Sequence, residues 1–314
     1  MDELINLSAK YNLITVLGAT AGGKTAFAAQ LAYLLDAEVI GADSRQLYRR
    51  MDIGTGKDYK DYDVFGKKIP IHLIDIIEPG EKYNVYQYQK DFVKVYRDIT
   101  GREKKAVLCG GSGLYIESVL KDYKLFEVPI NEELRHQLKQ KSLEELILQL
   151  ESYKRLHNTT DIDDRERLIR AIEIAEFESD KKNEILDFPE MKHLVLGIKF
   201  DRNSRRKRIS ERLKLRLENG LIEEVKGLID SGVDMDTLIY YGLEYKYITL
   251  YLQGKMSFEE MFKQLETAIH QFSKRQMTWF RRMERNGTEI NWIDGYMSMD
   301  EKIDRVLKIL RALN

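Results

Sequence analysis

Residues 16–26 read VLGATAGGKTA: the end of an apolar run, a turn with three glycines, then Lys24 and Thr25 opening a helix-spaced stretch. Gly18, Gly23, Lys24 and Thr25 fit the spacing G-x-x-x-x-G-K-[ST]. Such a turn points backbone N–H groups inward at a helix N-terminus, with glycines taking φ/ψ values that other residues avoid, and so forms an anion cradle. Gly18, Ala19, Thr20, Ala21, Gly22, Gly23, Lys24 and Thr25 are therefore the candidate phosphate-binding loop. Lys24 adds a point charge, and the Thr25 hydroxyl is placed to ligate Mg2+. A nucleoside triphosphate is the usual guest, but the chemistry needs only a diphosphate and a magnesium ion.

Working outward, residues 13–17 (LITVL) predict a buried strand and residues 24–35 a helix. Residues 38–40 lead as a second strand into GADSRQLY, residues 69–77 (IPIHLIDII) predict a third, and residues 105–108 (KAVL) a fourth that ends at CGGSGLY. Strands alternating with helices imply a parallel sheet covered on both faces. After residue 123 the character changes: residues 131–178 read as helix, rich in Leu, Glu, Lys and Arg. HLVLGIKF (193–200) then returns as a strand, followed by long helices predicted over 205–229 and 258–285. The expected fold class is α/β, a P-loop NTPase-like parallel sheet flanked by helices with a helical insertion domain. The expected division is 1–122 for the first part of the core, 123–190 for the insertion and 191–314 for the return strand and C-terminal helices.

Composition is that of an ordinary globular chain: 314 residues, 43% hydrophobic, 33% charged and net charge −1. Affinity for a polyanion must then come from local basic patches. The single cysteine, Cys109, excludes an internal disulfide framework and fits a reducing cytoplasm. MDELINLSAKYN carries early acids and no apolar run, so no signal peptide is expected, and no stretch approaches the length of a membrane span.

Asp43 follows the second strand and so falls at a strand's C-terminal end, the rim where open α/β sheets bind ligands. A carboxylate there can hold a metal or act as a general base, or it can simply cap a helix over RQLYRRM. Ser112 in CGGSGLY offers a hydroxyl at the same rim, with a helix cap as the plainer alternative. Cys109 reads as a small buried apolar residue. The five histidines show no metal-ligand spacing. Residues 202–216 hold eight Lys/Arg against one acid, and residues 274–285 hold five against one, interleaved with Trp279 and Phe280. Either run is ordinarily a solvated helix face. Together they point to a polyanion surface, and Arg165, Arg167 and Arg170 add a third basic patch at helical spacing.

These stretches resemble the tRNA dimethylallyltransferase (tRNA isopentenyltransferase) family over nearly the whole chain: GATAGGKT, ADSRQLYRRMDIGTGK, HLIDIIEP, GGSGLY, DDRERLIRAIEI, GLIEEV, YLQGKMSFEE and SKRQMTWFRR occur in family order. The resemblance implies that the cradle holds dimethylallyl diphosphate and that the prenyl group passes to N6 of the adenosine 3′ of the anticodon in tRNA. By it, Asp43 matches the proposed base, and Lys24 with Mg2+ matches the diphosphate clamp. Ser112 retains a hydroxyl, and Arg208 or Arg212 supplies a further cationic contact. Asp43, Ser44, Arg45 and Gln46 would line the adenine pocket. Arg167 and Arg170 would approach the anticodon loop. Lys274, Arg275, Gln276, Trp279 and Arg281 would form another tRNA surface, although Trp279 also reads as a core anchor. The chain departs from the family pattern at Ala19, where proline is usual, at Ile71, at residues 239–246 (IYYGLEYK) and at Ile269-His270. In the family those last two stretches serve the tRNA side, so the resemblance implies weaker or narrower tRNA recognition. The implied protein is a cytoplasmic monomer. A P-loop small-molecule kinase, an adenylate isopentenyltransferase and a non-catalytic RNA-binding module are the competing readings.

Overall fold

Fully buried apolar strands set the architecture. The computed structural model describes residues 2–153, 165–180 and 186–313. It runs α1 (Asp2–Leu7), β1 (Leu13–Gly18), α2 (Lys24–Leu35), β2 (Glu38–Ala42), the short β3 (Asp63–Val64) and β4 (Lys67–Lys68), and β5 (Ile71–His72). There follow α3 (Val85–Gly101), β6 (Ala106–Gly110), α4 (Gly113–Leu120), α5 (Glu132–Lys139), α6 (Leu143–Tyr153) and α7 (Arg165–Asp180). The chain ends with β7 (His193–Lys199), α8 (Arg202–Glu218), α9 (Leu221–Asp230), α10 (Met235–Tyr241), α11 (Leu243–Leu252), α12 (Phe258–Arg285), β8 (Asn291–Asp294) and α13 (Met299–Leu313).

A six-stranded sheet has the order β5-β2-β6-β1-β7-β8, every pair parallel. Parallel strands are covered on both faces, which is why β1, β2 and β6 are buried residue after residue rather than alternately. Phe27 and Leu31 of α2 pack on one face with Val16, Val39, Val107 and Leu196. A second cluster joins α8, α9, α10, α11 and α12 around Tyr48 and Met51, which follow β2. The contacts divide the chain into two compact units, Met1–Tyr123 with Phe188–Asn314, and Lys124–Asp187. The smaller unit packs α5, α6 and α7 through Leu138, Leu146, Leu150, Leu168 and Ile172. Positions 154–164 of the expected 131–178 helical run lie outside the described residues. Among the described residues no helix is long and apolar enough to cross a membrane.

Two expectations are corrected and one alternative falls away. Only Ile71–His72 of the 69–77 run joins the sheet, because Leu73 and Asp75 take positive φ values of 57° and 54° and turn the chain off the ladder. Ile76 N and Ile77 N donate instead to Leu47 O. The single helix expected over 205–229 is two, α8 and α9, broken at Gly220 with φ 96°. No helix follows Asp43; residues 43–50 are turns and a bridge. Strand β8, four residues at the sheet edge, carries too short a pattern to announce itself.

Backbone crowding at the sheet's C-terminal edge is tight enough to test. A Cβ on Gly110 would come 2.0 Å from Ala42 O, a backbone atom with nowhere to go. Gly227, inside α9, has open space around it. Urea unfolding is expected to show Gly110→Ala destabilised by about 3 kcal/mol or more. Gly227→Ala is expected to be stabilised by roughly 0.5–1 kcal/mol.

Candidate active site

The register of the sheet assembles the site. Leu17 of β1 and Ala42 of β2 both pair with Gly110 of β6, so the loops beginning at Gly18, Asp43 and Gly111 open on one edge. Gly18 lies against β7, where an added Cβ would meet Ile198 O at 2.7 Å. The loop between β1 and α2 then turns through Ala21, φ 59°, and Gly23, φ 70°, and α2 begins at Lys24. Lys24 folds back so that Nζ donates to Ala19 O at 2.9 Å. Burial lowers its pKa, opposed by the neighbouring Cys109 and Asp43. Cys109 is buried on β6 and its thiol is pushed up to about 12, mainly by that burial. It is an inert packing residue. The half-buried Thr25 hydroxyl makes no hydrogen bond among the described residues.

Asp43 accepts from Arg45 N through Oδ1 at 3.0 Å, an Asx-type turn that leaves Oδ2 uncommitted in the structure. Ser112 precedes α4 but makes no capping bond; its Oγ accepts from Ser44 N at 2.9 Å and lies 3.3 Å from Ser44 Oγ. The hydroxyl therefore ties the β6 loop to the β2 loop. Gln46 Nε2 donates to Thr55 O and Gly56 O at 3.2 and 3.0 Å. The Arg45 guanidinium lies 5.2 Å from the Tyr241 ring centre.

Cations from α8 flank the cradle. Arg208 Nε donates to Ala21 O at 3.0 Å, its guanidinium over Phe200. Arg212 donates to Asp58 at 2.9 Å, and Arg216 pairs with the buried Glu244 at 3.1 Å. Thr20, Ala21, Arg212, Arg216 and Glu244 share a small pocket beside the loop. Burial, then the adjacent Arg216, lowers the Arg212 pKa, and burial raises that of Glu244.

Two groups were missed by sequence reasoning. Glu224 of α9 accepts from Asp52 N, Ile53 N and Gly54 N at 2.8, 2.6 and 3.0 Å, and from Tyr245 Oη at 2.8 Å. Lys57 has a fully buried side chain and donates to Tyr48 O, Asp52 and Asp75. The glycines of MDIGTGK signal a tight loop, but nothing local in sequence names Glu224 as its anchor. Residues 239–246 serve the same scaffold: Tyr241, Glu244 and Tyr245 face inward, and Tyr240 is 80% exposed.

The tRNA-surface candidates separate into distinct groups. Lys274, Arg275 and Arg281 are exposed on α12. Gln276 is buried and bonded to the β1 and β6 loops. Trp279 is half-buried between the Arg282 guanidinium, 3.9 Å from its ring centre, and Gly113, where a Cβ would come within 2.3 Å of the indole. Arg167 is exposed on α7. Arg170 is engaged inside the smaller unit, donating to Val128 O at 2.7 Å and to Glu173. Arg165 similarly binds the carbonyls of Leu138, Lys139 and Lys141.

A phosphate loop, a carboxylate two strands away on the same sheet edge and flanking arginines are the parts of a P-loop enzyme acting on a phosphorylated substrate. Residues 46–283 match the family described as IPPT, IPP transferase, and the chain belongs to that family. It is 55% identical over 305 residues to tRNA dimethylallyltransferase 2 of Phocaeicola vulgatus, covering 97% of this chain and 99% of that one. It is 58% identical over 300 residues to tRNA dimethylallyltransferase 1 of Parabacteroides distasonis, covering 96% and 98%. The full-length tRNA isopentenylpyrophosphate transferase of Bacillus halodurans superposes with a TM-score of 0.70 at 30% identity, covering 96% of each chain. A eukaryotic dimethylallyltransferase that acts on tRNA shares the fold at 19% identity, with a TM-score of 0.70 over 90% of this chain and 73% of that one.

Loss of the Glu224 anchor should loosen the loop that positions Gln46. Glu224→Ala leaves three backbone donors without their acceptor, and is expected to cost roughly 3 kcal/mol in urea unfolding. Catalytic efficiency should fall with it, and Glu224→Gln, which keeps one acceptor oxygen, should lie between.

Proposed function

We propose that this chain transfers the dimethylallyl group of dimethylallyl diphosphate to N6 of the adenosine 3′ of the anticodon in tRNA, releasing diphosphate. The observation that carries this reading is the convergence of the Lys24 cradle, Asp43 and the Ser112–Ser44 contact on one edge of the sheet. The full-length similarity to enzymes named for this reaction supports it. The exposed cations of α12 support an RNA substrate over a free nucleotide, which needs no extended basic face.

The N6 lone pair is delocalised into the purine, so attack on C1 of the prenyl group needs help at both ends. Asp43 accepts the N6 proton as the N6–C1 bond forms. The C1–O bond breaks with its electron pair passing to the diphosphate, whose growing charge is met by the loop amides, Lys24, Arg208 and Arg212. To reach this edge the adenine must leave the anticodon-loop stack, and residues 43–46 are placed to receive it.

Magnesium fits the donor set. The Thr25 hydroxyl, which makes no hydrogen bond among the described residues, offers a hard oxygen that would hold the ion together with the diphosphate. When bound, the ion neutralises charge on the leaving group. The reading places the enzyme in the cytoplasm as a monomer.

The deciding experiment incubates labelled dimethylallyl diphosphate, Mg2+ and unmodified tRNA, followed by nucleoside mass spectrometry. Prenylated adenosine without ATP consumption is the expected result; coupled ATP turnover would return the kinase reading. Asp43→Asn keeps an oxygen for Arg45 N but removes the proton acceptor. Its kcat is expected to fall about 10²–10⁴-fold with the KM for prenyl diphosphate little changed. Near-normal turnover would remove Asp43 from the base role.

A further inference from the structure

Gln276 lies beside exposed Lys274 and Arg275 in sequence, yet it is only 6% exposed. Its carboxamide spans two loops: Oε1 accepts from Thr20 N at 2.9 Å, and Nε2 donates to Gly111 O at 3.0 Å. The partners fix the orientation of the amide, since a backbone N–H only donates and a carbonyl only accepts. Gly111 admits the contact, because a Cβ there would come 2.4 Å from Nε2. The Thr20 N–H and the Ala19 carbonyl belong to one peptide unit, and that carbonyl accepts from Lys24 Nζ at 2.9 Å. Rotating this plane would therefore release Gln276 on one side and Lys24 on the other.

We propose that Gln276 is a positioning residue of the diphosphate cradle and makes no contact with tRNA. By holding the 19–20 peptide plane it fixes the Lys24 ammonium and the direction of the following loop amides. It also ties the β1 loop to the β6 loop that carries Ser112. The brace reaches the site from α12, whose opposite face is basic. This inference rests on the reading that the loop holds a diphosphate.

The test compares wild type with Gln276→Met, which keeps volume and removes both hydrogen bonds, and Gln276→Glu, which turns a carboxylate oxygen toward Gly111 O. Gln276→Met should raise the KM for prenyl diphosphate about tenfold or more, the scale of leaving buried polar groups unpaired. Gln276→Glu should be worse, and tRNA affinity should be unchanged in both. Calorimetry with magnesium diphosphate should show the same ranking. Hydrogen exchange, which needs no substrate, should show protection lost in the 16–26 loop of Gln276→Met but kept along α12. Unchanged diphosphate binding in both variants, weakened tRNA affinity alone, or loss of protection throughout α12 would each overturn the positioning role. A wild-type protein that neither binds magnesium diphosphate nor transfers the prenyl group would instead sink the functional reading, and the exchange result would still decide the brace.

Discussion

Close backbone approach between parallel strands is the constraint on which the site depends. Neighbouring strands in a sheet lie about 4.8 Å apart, so three consecutive strand ends deliver their loops within the span of one diphosphate and one base. Gly110 faces Ala42 O and Gly18 faces Ile198 O with no room for a side chain. The glycines of GATAGGKT and CGGSG thus let the backbones meet at the edge, and on the proposed reading those of GATAGGKT also let the loop turn N–H groups toward the diphosphate.

Around that edge, charge is concentrated and sorted. Lys24, Arg208, Arg212 and Arg216 cluster beside the cradle, with Asp58 and Glu244 as the paired carboxylates. Burial, and for Arg212 its neighbour Arg216, lowers the pKa of Lys24 and of Arg212. Both shifts mean that the charged forms are held at a cost in the protein alone. A polyanionic ligand offsets that cost, so binding energy is available where charge develops in the reaction. The adjoining loop is treated oppositely. Glu224 fills the backbone nest of residues 52–54, and Lys57 has all its donors met. That glycine-rich turn is internally satisfied, while on the proposed reading the first one is left for a ligand.

Local signals were legible in the sequence and long-range ones were not. The strand–turn–helix around Gly18 to Thr25 is written in contiguous residues, and α12 has both its capping box and its bounds in plain sight. The 69–77 run leaves the sheet after His72 because the backbone N–H groups of Ile76 and Ile77 bond to Leu47 O, a contact no periodicity shows. The break at Gly220 was readable in principle, since a glycine after Asn219 ends helices readily, but continuous charge over α8 masked it. Glu224 was named within a motif without a role, because its three partners lie far away in the chain. Arg170 reads as a free basic residue although Glu173 stands at i+3 on the same helix; its bond to Val128 O is visible only in the fold.

Gln276 shows how a motif can mislead by adjacency. SKRQMTWFRR reads as one basic block, but a helix sorts its residues by angle. Ile269, Ser273, Gln276, Met277 and Phe280 form the buried stripe of α12, at spacings of three and four, while Lys274, Arg275 and Arg281 fall off it. A one-residue slip in this register would turn Gln276 by about 100° away from the two loops. The register must therefore be pinned, and it is pinned far from the site. Ser257 and Glu260 close the capping box at one end, and Met261 and Leu265 sit in the second core cluster. On the proposed reading a single rigid helix thus has two duties, a cationic outer face for RNA and an inner amide that holds the diphosphate loop in shape. Their relative placement is fixed by helical geometry rather than by a flexible joint.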